Sequence, residues 1–221
     1  MRTMTLSDDS SVPETEQHLS YTTLRLGAED ETVALHGAAK AALTTLRGDA
    51  TSLRDATELR MAKRAILGSK TKDLYGSLSA LSRKTLAELD NDRTDPRFVH
   101  AFPKPVSEVL DGAISDEKLN YCQVAIDHLS AEASLTGLAP ALADAQAKVD
   151  AVKAGRADHA AAIAAEAAAS ATLKRSLSVA RDLYNTLLAN VTVLFPKRKG
   201  FVNTFFLNRE KRPAPVDEQA G

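Results

Sequence analysis

The chain has 221 residues with a single cysteine, and its formal net charge at pH 7 is -1. A charge this close to zero creates no global field that would draw the chain to nucleic acid or to an anionic membrane. One cysteine excludes an intrachain disulfide, and the chain lacks the ~18–20 consecutive apolar residues that would predict a membrane span. We therefore expect a cytoplasmic protein.

The composition favours helices throughout the chain. Alanine, leucine, lysine, arginine and glutamate, which favour helices, are abundant, whereas tryptophan is absent. Glycine and proline mostly fall where helices could end. We predict an all-α fold: an elongated antiparallel helical bundle built on two long heptad-patterned helices, with a shorter third helix and a short terminal helix.

Residues 1–27 are rich in serine, threonine and acidic residues. Such a segment buries little apolar surface and typically stays mobile, so we predict a mobile N-terminal tail. We expect a single helical-bundle domain over residues 28–208 and a disordered tail over residues 209–221.

The first long helix is predicted over about 28–90. Gly68 and Ser69 mark the place where a kink or a break is expected, so one helix and two helices remain alternatives. Residues spaced by seven form its main column. That column contains Leu46, Leu53, Arg60, Leu67, Leu74 and Leu81.

Residues 92–114 form a connector. Within it, Asp95 and Pro96 predict a short helix with an N-cap and a proline in its first turn. Phe98 and Phe102 would then share one face of that turn. Ser115 is the predicted N-cap of a third helix over about 115–136, which buries a single apolar stripe.

The second long helix is predicted over about 138–195. Its heptad columns begin with Leu138 and Leu142 and continue to Leu194. Pro196 disfavours helical geometry in the preceding residue and so predicts the helix end. A short helix with basic flanks is predicted over about 198–208.

Antiparallel alignment of the two long helices predicts a structural polar layer. With Leu46 near Tyr184 and Leu89 near Leu138, Arg60 and Arg64 lie opposite Glu166 and Ser170. Such a layer fixes helix register at a cost in stability. An intermolecular coiled coil remains an alternative to this intrachain hairpin.

No motif predicts catalysis or metal binding. The sequence lacks a phosphate-binding glycine loop, a Cys-x-x-Cys pair and a His-Glu-x-x-His motif, and it has none of the inward Glu-x-x-His pairs of di-iron bundles. Cys122 lies within the predicted apolar stripe and is expected to be a core residue. We therefore predict no catalytic residue, no metal site, no cofactor and no enzyme activity. A third hypothesis is a ligand-binding or enzymatic bundle that uses Arg60, Arg64, His159 and Glu166.

The functional hypothesis is a non-enzymatic scaffold or adaptor that binds a protein partner or copies of itself. The candidate partner-binding residues are aromatic: Phe98, Phe102, Phe201, Phe205 and Phe206. The alternative is a nucleic-acid-binding accessory protein, because basic residues interleaved with phenylalanine suit phosphates and bases. Its candidate residues are Lys197, Arg198, Lys199, Arg209, Lys211 and Arg212. The same segment could also bind an anionic membrane surface, or it could fold back as a hydrophobic plug on the bundle.

Overall fold

A computed structural model describes residues 5–207 of the chain. Over this range the protein is helical and contains no strand, which confirms the predicted all-α helical bundle. Short 3-10 turns at Asp30–Thr32 and Thr136–Leu138 precede the two long helices. The helices are α1 Val12–Leu26, α2 Val33–Glu88, α3 Pro96–Ala101, α4 Val106–Val109, α5 Asp116–Ala131, α6 Ala139–Leu194 and α7 Lys199–Asn203.

The chain divides into two compact units where the sequence predicts a single domain. The central unit is the continuous segment Thr57–Ala165. The terminal unit combines the two ends of the chain, Met1–Ala56 and Glu166–Gly221, of which the structure describes 5–56 and 166–207. Each long helix therefore contributes one part to each unit.

Within the segment 1–27, for which a mobile tail is predicted, residues 12–26 form the helix α1. The Ser11 hydroxyl accepts a hydrogen bond from the Glu14 amide at 3.3 Å, and Pro13 occupies the first turn. Both features favour a helix start. The buried face escaped detection because only two of its six residues are aliphatic; it comprises Thr15, His18, Leu19, Thr22, Thr23 and Leu26.

Helix α2 is a single helix that passes Gly68 without a break. Its end is marked by Asp90 and Asn91, whose φ angles are 52° and 63°. The Asn91 amide donates to the Leu86 carbonyl at 2.7 Å and so satisfies one of the last open carbonyls of the helix. Helix α6 ends at Leu194, two residues before Pro196.

The core of the terminal unit brings α1, the start of α2 and the end of α6 together with the segment that follows α6. Leu19, Leu46, Tyr184 and Leu187 are almost fully buried there. The Leu6 amide and carbonyl both bond to the Asn185 side chain, at 2.9 and 3.0 Å. The first described residues are therefore fixed to α6.

In the central unit, α2 and α6 run antiparallel, as predicted. Lys63 forms an ion pair with Asp158 at 2.9 Å, and Ser77 donates a hydrogen bond to Asp144 at 2.5 Å. The residue numbers therefore rise along α2 in the direction in which they fall along α6, as in an antiparallel pair. Helix α5 packs on this pair, and its buried stripe joins the core cluster: Leu119, Cys122, Ala125, Ile126 and Leu129.

Candidate functional site

Helix α5 covers only part of the α2–α6 pair in the central unit. Its first residue, Asp116, forms an ion pair with Arg156 of α6, and Ser115 caps it by accepting from the Lys118 amide at 3.3 Å. Within Thr57–Ala165, α2 continues from this level towards Thr57 and α6 continues towards Ala165. The pair therefore has two open surfaces, one beyond the start of α5 and one on the opposite side.

The first open surface is a cleft of about 600 Å³ next to the start of α5. Helix α2, the loop 110–114 and His159 of α6 line it. The loop is held against α2 by the Tyr75 hydroxyl, which donates to the Gly112 carbonyl at 3.3 Å. Gly112 has a φ of +70°, a conformation that glycine adopts without strain.

One end of this cleft is cationic. Lys63 is bonded to Asp158, so the adjacent residues Arg64 and His159 lie at about the same level of the helix pair. The Nε2 atom of His159 is buried and forms no hydrogen bond with any residue in 5–207. Arg64 is exposed and forms no ion pair within that range. Both side chains therefore offer polar atoms without a protein partner.

The other end of the cleft is more apolar. Leu67, Leu110 and Ile114 line the cleft together with the ring of Tyr75, and the polar side chains of Thr71, Lys72 and Asp111 line it as well. Burial raises the pKa of the Tyr75 phenol above its ordinary value, and the neighbouring Cys122 and Asp111 contribute to the same direction. The hydroxyl is therefore protonated at neutral pH and remains a hydrogen-bond donor.

The second open surface, which we call the alanine groove, lies on the side of the pair that carries the Lys63–Asp158 ion pair. The hydrogen bond from Lys63 lowers the pKa of Asp158, so the pair is fully charged at neutral pH. On α2, one helical stripe at spacings of four, three and four borders the groove; it carries Leu59, Lys63, Ile66 and Lys70. On α6, the groove is bordered by Asp158 and by Gly155, where an added Cβ would lie 3.2 Å from the Lys70 side chain.

Apolar side chains are exposed in the alanine groove. Leu59 and Ile66 are each 48% exposed. Ala154, Ala161 and Ala165 are also exposed, on the face of α6 that carries Asp158. The exposed surface thus combines large aliphatic residues on α2 with small residues on α6.

The predicted aromatic partner-binding residues are mostly internal. Phe205 and Phe206 are 0% and 2% exposed in the core of the terminal unit, and Phe201 is half-buried. In the central unit Phe102 is buried, and the half-buried Phe98 packs on it with ring centroids 5.3 Å apart. In this conformation the rings stabilise the two cores instead of forming an exposed patch.

Three of the six basic residues proposed for nucleic-acid binding lie within the described range, and the other three lie outside it. Lys197, Arg198 and Lys199 are exposed, and the Arg198 guanidinium lies 4.0 Å from the centroid of the Phe201 ring. Arg209, Lys211 and Arg212 lie outside the described residues. The burial of Phe205 and Phe206 leaves neither ring available to stack on a base.

The predicted polar layer divides between the two units. Arg60 and Arg64 belong to the central unit, and Glu166 and Ser170 belong to the terminal unit. Arg60, Glu166 and Ser170 are half-buried. The predicted arrangement of Arg60 and Arg64 opposite Glu166 and Ser170 stays a prediction.

Cys122 is fully buried, and burial raises the pKa of its thiol to about 11. Residues 5–207 contain no cluster of three or more histidine, cysteine, aspartate or glutamate side chains placed to hold a metal ion. Within the same range, no helix has the length and apolar content required to cross a membrane. The chain matches no protein-family model, no curated protein and no solved structure.

Sequence reasoning named Arg64 and His159 as candidate ligand-binding residues, and the structure places both in one cleft. It missed the loop 110–114, because the contact between Tyr75 and Gly112 is not encoded in any local pattern. It also missed the alanine groove. The signal was available there, since Leu59 and Ile66 are seven residues apart and lie outside the main column of α2.

Proposed function

We propose that the protein is a non-enzymatic scaffold or adaptor that binds an acidic amphipathic helix of a partner protein in the alanine groove. The observation that carries this proposal is the half-exposed pair Leu59 and Ile66 on the stripe of α2 that also carries the Lys63–Asp158 ion pair. An amphipathic helix commonly binds by laying its apolar face into such a groove. Burial of aliphatic side chains then supplies the main stabilisation.

The charge of the groove favours an acidic partner. The charged residues of the groove are Lys63 and Lys70 on α2 and Asp158 on α6, so that two bases face one acid. Lys63 is partly neutralised by Asp158, but Lys70 forms no ion pair with another residue in 5–207. Glutamate or aspartate beside the apolar face of a partner helix would complement this charge, as flanking charges do in coiled coils.

The same charges disfavour a second copy of this chain as the occupant. A symmetric dimer would pack the same stripe on both subunits. Lys63 and Lys70 would then face the lysines of the other copy, and juxtaposed like charges oppose association. A partner of different sequence and acidic character is therefore the expected occupant.

The test is site-specific photo-crosslinking of the full chain in its native cells. A photoreactive residue replaces Ile66 in one variant and Met61 in the control. Met61 is 60% exposed but lies five residues away on a different face of α2. Mass spectrometry then identifies the crosslinked segment, and its synthetic peptide is titrated against the purified chain.

We expect the Ile66 variant to crosslink an acidic amphipathic helix more efficiently than the control. The peptide should bind at least about tenfold more weakly to Ile66→Glu than to Met61→Glu, because only the first change places an acid among the apolar contacts. Crosslinks to another copy of this chain would show that the occupant of the groove is a second copy and not an acidic partner protein. Crosslinks to nuclease-sensitive material, or equal yields at both positions, would reject the proposal.

A further inference from the structure

We propose that the cleft between α2 and the loop 110–114 is a binding site for a small amphipathic carboxylate. The cleft lies on the α5 side of the helix pair, and the alanine groove lies on the other side. This site is therefore independent of the partner helix proposed above. Its volume of about 600 Å³ falls within the ~300–1,000 Å³ of typical small-molecule sites.

The cationic end of the cleft would bind the carboxylate. The guanidinium of Arg64 offers paired N–H donors that match the two oxygens of a carboxylate. His159 lines the cleft beside it, with a buried Nε2 that has no hydrogen-bond partner in 5–207. A buried nitrogen without a partner costs free energy. A partner for it has to come from outside the described residues, and a ligand oxygen would supply one.

The apolar end would hold the hydrocarbon body. Leu67, Leu110, Ile114 and the ring of Tyr75 supply the apolar lining, and Lys72 and Asp111 are further charged residues of the cleft. Tyr75 lies eleven residues after Arg64 on α2, a separation of about 16 Å along the helix. An extended chain of roughly ten carbons therefore spans most of the distance from the cationic end to the apolar end.

Gly68 leaves the middle of the cleft open. It lines the cleft, and a Cβ atom added there would meet no heavy atom within 4 Å. A larger residue at this position fills the cleft without disturbing the packing of α2. Because Gly68 lies inside a helix, replacing it also removes an unfavourable residue, so the blocking variant is expected to fold.

The test is isothermal titration calorimetry of the purified full chain with decanoate, and with decanamide as the uncharged comparison. We expect saturable binding of decanoate and at least about tenfold weaker binding of decanamide, the factor set by a charge-assisted hydrogen bond. Arg64→Met should weaken decanoate binding by a similar factor. The matched control is Arg83→Met, because Arg83 is an exposed arginine on α2 outside the cleft.

Gly68→Leu should abolish decanoate binding while circular dichroism shows unchanged helix content. Equal binding of decanoate and decanamide would overturn the carboxylate assignment. Equal effects of the two arginine variants, or full binding by Gly68→Leu, would place the ligand elsewhere. None of these results depends on the alanine groove, so the two proposals fail separately.

Discussion

The Nδ1 atom of His18 lies 3.2 Å from the hydroxyl oxygen of Tyr184, although 166 residues separate them in the sequence. Both side chains are buried, and their rings meet edge to face with centroids 5.6 Å apart. Tyr184 in turn contacts Phe206 edge to face at 5.5 Å. This aromatic row joins α1, α6 and the segment after α7 within the terminal unit.

Tyr184→Phe is expected to destabilise the protein by about 1–2 kcal/mol, because it removes this hydrogen bond from a buried site. The measurement is the free energy of unfolding by urea. Tyr121→Phe serves as the comparison, since Tyr121 is only half-buried and its hydroxyl donates to the Lys104 carbonyl at 2.7 Å in a more exposed hydrogen bond. An equal loss in the two variants would show that burial of the Tyr184 bond adds nothing.

Stability should fall at alkaline pH. Burial raises the pKa of Tyr184 from 10.0 to about 12 and that of Cys122 from 9.0 to about 11. As pH rises above about 9, the unfolded chain releases these protons while the folded chain retains them, so unfolding becomes more favourable. The stabilisation is complete below pH 9 and is lost as pH approaches 12.

Urea midpoints measured from pH 8 to pH 11.5 test this pH dependence. Above pH 10, the urea midpoint should fall less per pH unit in Tyr184→Phe, which lacks that phenol, than in the original chain. If the midpoints of both chains fall equally with pH, Tyr184 titrates normally.

Phe205→Ala should destabilise the protein by about 3–5 kcal/mol, the range for truncating a fully buried phenylalanine. Phe205 is 0% exposed, stacks with Phe195 at 6.1 Å and meets Phe201 edge to face at 5.2 Å. Thermal unfolding followed by circular dichroism measures this loss. A change within 0.5 kcal/mol, the usual effect of a surface substitution, would mean that the ring is not buried in solution.

Two glycines of the cleft should respond oppositely to alanine. Gly68→Ala is expected to stabilise the protein by about 1 kcal/mol, since Gly68 lies inside α2 with open space around its Cα. Gly112→Ala is expected to destabilise it by about 1–2 kcal/mol, because its φ of +70° disfavours any residue with a Cβ. Urea titrations of both variants provide the comparison, and changes of the same sign would contradict this loop conformation.

Cys122 should not react with a thiol reagent in the folded protein. Its side chain is fully buried and burial raises its pKa to about 11, so little thiolate forms at pH 8. A chromogenic disulfide reagent should label it only in denaturant. Rapid labelling of the native chain would show that α5 detaches from the pair.

The helices were predictable where local chemistry marks their ends. Asp95 and Ser115 act as the predicted N-caps, each accepting from a backbone amide, and Pro196 follows the end of α6. Helix α1 was missed because its buried face contains threonine and histidine, which hydropathy does not count as apolar. The cleft was missed for a different reason: it depends on the long-range contact of Gly112 with Tyr75, and periodicity reports only which residues share a helix face.

The composition of the terminal unit from the two ends of the chain has a consequence for synthesis. Thr57–Ala165 is continuous, so the central unit can begin to fold while the ribosome is still translating. Helix α1 cannot complete its core until Tyr184 and Phe206 have emerged. At roughly 5–20 residues per second, its buried face waits on the order of ten to forty seconds for those partners. During that interval the apolar side chains of Leu19 and Leu26 are accessible to chaperones.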